Sequence, residues 1–379
     1  MSFRPAIVIA AYSRPDSLAR LLSMVLAAEY PDGVSVPLVI SIDGGGAHEV
    51  VRLADEFKWP FGDKEVIIHP ENLGLREHIL SCGDLTGKYG SIIMLEDDLG
   101  VSSPFYNYTV ASLNEYKSEA KVAGVSLYNQ PFCTSCWRPF SPLMDGFSNY
   151  FLQYASSWGQ AWTARQWLAF RSWYNSGQVV NRSDAIPSFV SGWPESSWLK
   201  YFIKYMVVED LYFVYPRASY STNFSETGTH ISSRSSTFQV PLSLSEKANF
   251  SKFDESDSVY DSFFEILPTV LRSKNRDLVD LDFEVDLYGS KCRQGLIPGS
   301  SYVLTSIPSD RALFSYGCDL RPHEMNVLAN NRGASLFLAK ADTLQASNMR
   351  SRIDIFKYDY AVFSRKEQML NLLGTYILK

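Results

Sequence analysis

Residues 91–98 read Ser91-Ile92-Ile93-Met94-Leu95-Glu96-Asp97-Asp98, an apolar run that ends in three carboxylates. Such a short apolar run is typical of a buried parallel strand. The pattern recurs upstream, where the runs 6–12, 37–42 and 66–68 each precede a polar turn and a helix-like repeat. Four strand–helix units in series predict an α/β fold, a mostly parallel sheet with helices on both faces.

Polar side chains follow each of these predicted strands. They are Tyr12 with Arg14, Asp43, Asn72 with Arg76, and the carboxylates of residues 96–98. Ligands of parallel sheets bind outside the carboxyl ends of the strands. Because all four clusters fall at such ends, the sequence predicts one binding site along this rim.

Composition limits the class of protein. The chain has 379 residues, 46% hydrophobic and 20% charged, which predicts a globular protein of one large domain or two domains. The formal net charge of -6 disfavours a general nucleic-acid binder, so we expect no nucleic-acid partner. Cys133 and Cys136 have redox or zinc spacing, but the chain lacks a second such pair and a nearby histidine pair. We therefore expect reduced thiols.

The first residues run directly into a predicted strand and lack a signal-peptide pattern. No stretch approaches about 18 uninterrupted apolar residues, the length of a membrane span. We expect a cytoplasmic protein, with a peripheral position at the inner face of the membrane as an alternative.

The three adjacent carboxylates of residues 96–98 would repel one another without a compensating cation. Strand alternation places Asp97 on one side and Glu96 and Asp98 on the other. Oxygen ligands suit Mg²⁺ or Mn²⁺, ions that usually complete their coordination with substrate phosphates and water. This pattern predicts a divalent metal holding a nucleotide diphosphate against the sheet edge.

The segments 7–15, 41–44, 71–74 and 94–98 together resemble the GT-A fold of nucleotide-sugar-dependent glycosyltransferases. The stretch 72–108 is most similar to the N-acetylglucosaminyltransferase I type, whose motif also reads Glu-Asp-Asp, and also to family-2-like bacterial polysaccharide enzymes. The resemblance covers roughly residues 5–232.

That resemblance implies a role for each rim residue. The nucleotide and donor would contact seven residues: Ala11, Tyr12, Arg14, Asp43, Arg76, Glu96 and Asp97. Among them, Asp43 would accept hydrogen bonds from a uracil-type base, and Arg76 would face the base or diphosphate. Asp98 would bind the metal directly, and His230 would be a second metal or diphosphate contact.

Enzymes of this type that invert the anomeric centre need a base for the acceptor hydroxyl. The family pattern has an acidic pair before Trp198, but this chain has Glu195-Ser196-Ser197, so only Glu195 matches. Asp210 is the alternative base. Trp158 and Gly159 match the loop beside donor sugar and acceptor, whereas Trp162 is expected in the core.

The resemblance implies a domain organisation. Residues 1–253 would form the catalytic domain, with a nucleotide-binding part, 1–126, and an acceptor part, 127–253. Composition, not the resemblance, predicts the rest: the acidic stretch 254–286 is expected to be a linker with one helix near 259–267. The breaks and short apolar runs of 287–379 predict a small α+β module.

Three functions remain open on the sequence. The first is a metal-dependent inverting glycosyltransferase that transfers a hexosyl or N-acetylhexosaminyl group to a glycan or lipid-linked glycan in surface polysaccharide synthesis. The second is a sugar nucleotidyltransferase, disfavoured because the loop after the first strand, 11–15, lacks a glycine-rich basic signature. The third is a non-catalytic carbohydrate-binding protein, favoured only by the serine beside Glu195.

Overall fold

The computed structural model describes residues 2–224, 236–245, 247–345 and 349–360. The chain divides into two compact units. Unit 1 consists of Met1–Gln130 and Met144–Ser262, and unit 2 consists of Pro131–Leu143 and Phe263–Lys379.

The strands carry the following bounds in chain order. They are β1 (Ala6–Ala11), β2 (Leu38–Ile42), β3 (Lys64–Ile68), β4 (Ser91–Glu96), β5 (Leu99–Val101), β6 (Val122–Ser126), β7 (Phe132–Cys133), β8 (Arg138–Pro139), β9 (Asn149–Leu152), β10 (Gln160–Thr163), β11 (Tyr212–Pro216), β12 (Ser221–Asn223), β13 (Val259–Tyr260), β14 (Phe283–Asp286), β15 (Tyr302–Thr305), β16 (Phe314–Tyr316) and β17 (Leu336–Lys340).

The α-helices are likewise numbered along the chain. They are α1 (Pro15–Leu26), α2 (His48–Glu56), α3 (Gly74–Asp84), α4 (Thr86–Tyr89), α5 (Phe105–Glu115), α6 (Ala164–Asn175), α7 (Ser188–Ser191), α8 (Leu199–Val208), α9 (Pro268–Lys274), α10 (Ser290–Arg293), α11 (His323–Leu328) and α12 (Met349–Tyr360). Short 3₁₀ turns lie at Arg276–Leu278 and Ala341–Thr343.

Unit 1 is built on a sheet with the strand order β13-β9-β11-β6-β10-β4-β1-β2-β3. β4, β1, β2 and β3 pair in parallel, as do β6 with β11 and β9 with β13. β10 runs antiparallel between β4 and β6. The structure confirms the predicted α/β class with a mostly parallel sheet.

The path of the chain places helices on both faces of this sheet. From β1 the chain moves outward through α1 and α2 to β3, and then returns through α3 to β4 on the other side of β1. Because parallel crossovers are right-handed, this reversal puts α3 on the face opposite α1 and α2. On the α3 face, α6 approaches closely, since a Cβ on Gly83 would lie 2.0 Å from the Trp167 ring.

Residues 254–286 do not form the expected linker. β13 pairs with β9 in the sheet of unit 1, whereas α9 and β14 belong to unit 2. The helix expected near 259–267 is instead a strand followed by α9. Val259 and Tyr260 favour a sheet edge, and Pro268 starts the helix because its fixed φ suits a first turn.

Unit 2 contains a four-stranded sheet with the order β14-β15-β17-β16 and a hairpin formed by β7 and β8. The hairpin comes from residues 131–143, far upstream of the rest of the unit in sequence. The expected module 287–379 leaves out these residues and residues 263–286, which both belong to unit 2. No helix in the described ranges is both long and apolar enough to cross a lipid bilayer.

Candidate functional site

The candidate site lies where the sheet reverses its strand order. β1 and β4 are neighbours, with Ala10 opposite Glu96. The chain continues from β1 to β2 on one side of this pair, and from β4 through β5 and α5 to β6 on the other side. A crevice forms outside the strands at such a switch point, and open α/β sheets bind ligands there. Arg14 leaves β1 and Asp97 leaves β4 at this place.

Arg14 is the cation of this crevice. Its Nη1 donates to Asp98 Oδ2 at 3.0 Å, and its Nη2 donates to Asp97 Oδ1. Burial opposes its charge, but Asp98 and Asp97 outweigh that effect and raise the pKa of Arg14. The arginine thus holds two carboxylates together.

Asp97 and Glu96 have shifted protonation equilibria. The Asp97 side chain is only 3% exposed, and burial is the main reason that its pKa is raised to about 6. Burial, together with the charges of Asp98 and Asp97, raises the pKa of Glu96 to about 8. The Ser157 side chain has a smaller, opposite effect and lowers the pKa of Glu96.

Asp98 offers an oxygen to a ligand. Its Oδ1 is buried and has no hydrogen-bond partner within the described ranges, whereas its Oδ2 accepts from Arg14. An orphaned buried carboxylate oxygen fits a hard divalent cation. Among the described residues, no three His, Cys, Asp or Glu side chains converge as a metal site. Asp98 therefore fits an ion that is held by one carboxylate and whose coordination is completed by phosphate and water.

Asp43 is committed to the backbone of the loop between β3 and α3. Its Oδ1 accepts from the amides of Leu73 (2.7 Å) and Gly44 (2.9 Å), and its Oδ2 accepts from the amide of Gly74 (3.1 Å). A Cβ on Gly44 would lie 2.1 Å from the carbonyl carbon of Glu71, so only glycine permits this close approach. Recognition of a base by Asp43 stays a prediction, and its main visible role is to fix this loop.

A hydroxyl–imidazole cluster supports the same loop. Ser41 Oγ lies 2.9 Å from Nε2 of the buried His78 and 3.1 Å from Nε2 of His69. Burial is the main reason that the pKa of His78 is lowered to about 4. A neutral His78 therefore joins α3 to β2 directly behind Asp43.

The start of the first loop contains Ala11 and Tyr12. Ala11 is buried in β1, and its carbonyl accepts from the amide of Asp43 (3.1 Å). Tyr12 is 41% exposed at the rim, and its hydroxyl accepts from Asn72 Nδ2 (3.1 Å). An exposed ring held at its hydroxyl suits stacking against a planar base.

Arg76 and Glu195 form a second charged group with Lys200 and Tyr201. Glu195 lies 3.9 Å from Arg76 Nη1 and accepts from Lys200 Nζ (2.5 Å) and the Tyr201 hydroxyl (2.7 Å). The bond from Lys200, followed by that from Tyr201, lowers the pKa of Glu195. Its side chain is 74% exposed, so Glu195 is an ionised and accessible carboxylate.

Trp158 and Gly159 lie where β10 begins, at the same rim. The half-buried Trp158 ring contacts Tyr128, with centroids 4.8 Å apart, and its carbonyl accepts from Ser221 Oγ (2.5 Å). Gly159 has φ +91°, and a Cβ there would lie 2.8 Å from Ser221 Oγ. Glycine is therefore required for this turn. Trp162 is fully buried, as expected.

His230 lies outside the described residues. The chain before it is fixed beside the carboxylates, because β12 pairs with β5 and the Phe224 amide donates to the Asp98 carbonyl (3.2 Å).

Asp210 does not join this group. It precedes β11 and binds Lys121, which precedes β6. β6 and β11 run in the direction of β4, so their starts lie at the edge opposite the carboxylates. About five strand residues at roughly 3.3 Å each separate the two edges. The alternative of Asp210 as the base does not fit this position.

Sequence reasoning missed the supporting residues. Lys200 and Tyr201 bond Glu195, and His78 bonds Ser41, two residues before Asp43, yet each resembles an ordinary core or helix residue in sequence. A lysine five residues after Glu195 was the signal that the sequence offered.

No protein-family model matches the chain, and no curated protein matches it in sequence. Several solved structures are similar to part of the fold. S. aureus TarS 1-349 in complex with UDP-GlcNAc has a TM-score of 0.40 at 10% identity, covering 61% of this chain and 61% of that chain. GalNAc-T7 with UDP, GalNAc and Mn²⁺ has a TM-score of 0.37 at 13% identity, covering 57% and 43%. The mannosyltransferase PcManGT from Pyrobaculum calidifontis, in complex with GDP-Man and Mn²⁺, has a TM-score of 0.31 at 11% identity, covering 44% and 46%. The chain thus spans less than two thirds of the length of each of these proteins.

Proposed function

We propose that this protein is a glycosyltransferase that uses a nucleotide-diphosphate sugar, with uridine diphosphate as the carrier. The observation that supports this most directly is the cluster of Arg14, Asp97 and Asp98 at the switch point, with one buried Asp98 oxygen unpartnered within the described chain. The sequence resemblance to GT-A enzymes supports it independently, because the motif carboxylates fall on these positions.

Asp98 would hold Mn²⁺ or Mg²⁺ through its orphaned oxygen. When bound, the ion supplies charge neutralisation for the departing diphosphate. Arg14 keeps Asp98 oriented and keeps Asp97 ionised despite its burial. Tyr12 offers its exposed ring to the base, and Arg76 offers a positive charge at the start of α3.

Transfer with inversion requires that the acceptor oxygen lose its proton as it bonds to the anomeric carbon and the bond from that carbon to the diphosphate breaks. Glu195 is the proposed proton acceptor, since it is ionised, exposed and beside Arg76. Trp158 would stack against a sugar ring. The proposed product is a hexosyl or N-acetylhexosaminyl linkage on a glycan or lipid-linked glycan.

The proposal is tested by asking whether UDP, the nucleotide released on sugar transfer, binds in a metal-dependent way. We expect UDP titrated into the wild type with Mn²⁺ to bind at least about tenfold more tightly than with EDTA, a difference of about 1.4 kcal/mol. Asp98→Asn should lose this dependence. Asp55→Asn, an exposed carboxylate on α2, is the matched control and should retain it. Equal UDP affinity with Mn²⁺ and with EDTA in the wild type would refute the metal role.

A non-catalytic carbohydrate-binding protein is the second candidate. One observation favours it, because Lys200 and Tyr201 already engage both oxygens of Glu195. Release of UDP from UDP-sugars, measured with and without a panel of glycan acceptors, separates the two. Acceptor-stimulated release supports the transferase, and glycan binding without release supports the second candidate.

A further inference from the structure

The Cys133–Cys136 segment lies on a hairpin turn of unit 2. Cys133 ends β7 and pairs with Arg138 of β8. Its carbonyl accepts from the amides of Cys136 (3.3 Å) and Trp137 (2.8 Å), so the chain reverses between the two cysteines. A turn of this kind brings the Cα atoms of its first and fourth residues within about 7 Å. Disulfides span Cα distances of about 4.4–6.8 Å.

The two sulfur atoms have unequal surroundings. Cys133 is fully buried, with its Sγ 3.0 Å from Ser135 Oγ, whereas Cys136 is partly accessible. Cys136 Sγ lies 4.0 Å from the carbonyl oxygen of Cys133, and Arg138 and Arg293 add positive charge near Cys136. The Cys133 thiol is the largest influence on the pKa of Cys136 and lowers it, while burial raises the pKa of Cys133.

We propose that Cys133 and Cys136 are a redox-active dithiol that reacts with low-molecular-weight disulfides. The accessible Cys136 thiolate attacks one sulfur of the disulfide RSSR, forms a mixed disulfide and expels RS⁻. Cys133 then loses its proton to solvent and attacks Cys136 Sγ, which expels the second RS⁻. Both cysteines are oxidised, and RSSR is reduced to two RSH after proton uptake.

This pair differs from the other three cysteines. Burial raises the pKa of Cys82 and of Cys318 to about 12, and burial also raises that of Cys292. Thiol–disulfide exchange needs a thiolate that solvent can reach. Only the hairpin therefore combines an accessible low-pKa sulfur with a partner within bonding reach among the described residues.

The cysteine pair lies next to Arg138, which anchors α12. Arg138, two residues after Cys136, donates to both carboxylate oxygens of Asp359 on α12, at 2.7 and 3.0 Å. Removal of the Cys136 thiolate by oxidation takes a negative charge away from this arginine. The reaction thus changes the electrostatics at the anchor of α12.

The test uses the full chain in glutathione buffers of increasing oxidised fraction, trapped with N-ethylmaleimide and mapped by peptide mass spectrometry. We expect a Cys133–Cys136 disulfide to form while the other cysteines remain alkylated. Cys133→Ser should accumulate a mixed glutathione disulfide on Cys136, and Cys136→Ser should leave Cys133 unmodified. In the native wild type at neutral pH, Cys136 should alkylate at least about tenfold faster than Cys318.

Two results would overturn the proposal. One is the absence of the intramolecular disulfide in wild-type protein in fully oxidised glutathione. The other is alkylation of Cys136 no faster than that of Cys318. Both measurements use the wild type, so they decide the question even where a serine variant fails to fold.

Discussion

Acid should weaken unit 1 through His78. The pKa of His78 falls from an ordinary 6.5 to about 4, because burial and the neighbouring His69 disfavour its charge more than Asp43 and Ser41 favour it. The unfolded chain takes up a proton below pH about 6.5, whereas the folded chain does so only near about 4. The stability that neutral His78 contributes is therefore fully present above its unfolded pKa, and it is lost as the pH falls from about 6.5 towards about 4.

The size of the effect follows from the two pKa values. The full difference of about two and a half units at about 1.4 kcal/mol per unit corresponds to about 3 kcal/mol. At pH about 5, about 2 kcal/mol of this should already be lost. The raised pKa values of Glu96 and Asp97 favour the folded chain in acid, so the effect of His78 is read as a difference between proteins. In urea unfolding with EDTA, lowering the pH from about 7.5 to about 5 should make the unit 1 transition of the wild type less stable, relative to that of His78→Gln, by about 2 kcal/mol.

The variant His78→Gln should remove most of this pH dependence, although it is also less stable at neutral pH. The exposed His48 at the start of α2 gives the matched control, and His48→Gln should keep the wild-type dependence. The reasoning is refuted if His78→Gln and wild type lose the same free energy of unfolding between the two pH values.

Two further predictions concern the rim. Gly44→Ala should lower both UDP affinity and stability, because the new Cβ meets the Glu71 backbone and moves the loop held by Asp43. The control Gly87→Ala has open space around its Cβ and should lower neither. UDP titrations and thermal unfolding of the two variants measure the difference. Glu195→Gln should reduce kcat at least about a hundredfold with UDP affinity within a few fold, measured as UDP release with acceptor. Near-wild-type kcat in a folded Glu195→Gln protein would place the base elsewhere.

The rim of unit 1 was predictable because its signals are local. Each of the first four parallel strands is a short apolar run, and parallel strands in series bring their carboxyl ends to one edge. That geometry alone unites Arg14 with Asp97, although 83 residues separate them. The fold class and the grouping of the rim residues followed without knowledge of any side-chain contact.

Other features depend on contacts that no local pattern encodes. Asp210 resembles a site carboxylate in sequence, but the direction of β11 places it at the opposite edge. The two oxygens of Asp43 are engaged by amides that lie about thirty residues further along the chain. Lys200 is buried, so Glu195 has a structural partner as well as a proposed chemical role.

The division of the chain into units changes how the role of its C-terminal part must be tested. Truncation before residue 287 would leave the hairpin of β7 and β8 in place while removing Asp359, the partner of Arg138. Arg138 is largely buried, and a buried charge that loses its partner is destabilising by roughly 3–5 kcal/mol. Loss of donor hydrolysis in that truncation would therefore report misfolding as readily as a catalytic contribution.

A decisive deletion replaces 131–143 with a short polar linker and ends the chain at Ser262, so that both segments of unit 2 leave together. Retained metal-dependent UDP binding in that protein would assign donor recognition to unit 1 alone, and its loss in a folded unit 1 would contradict the assignment.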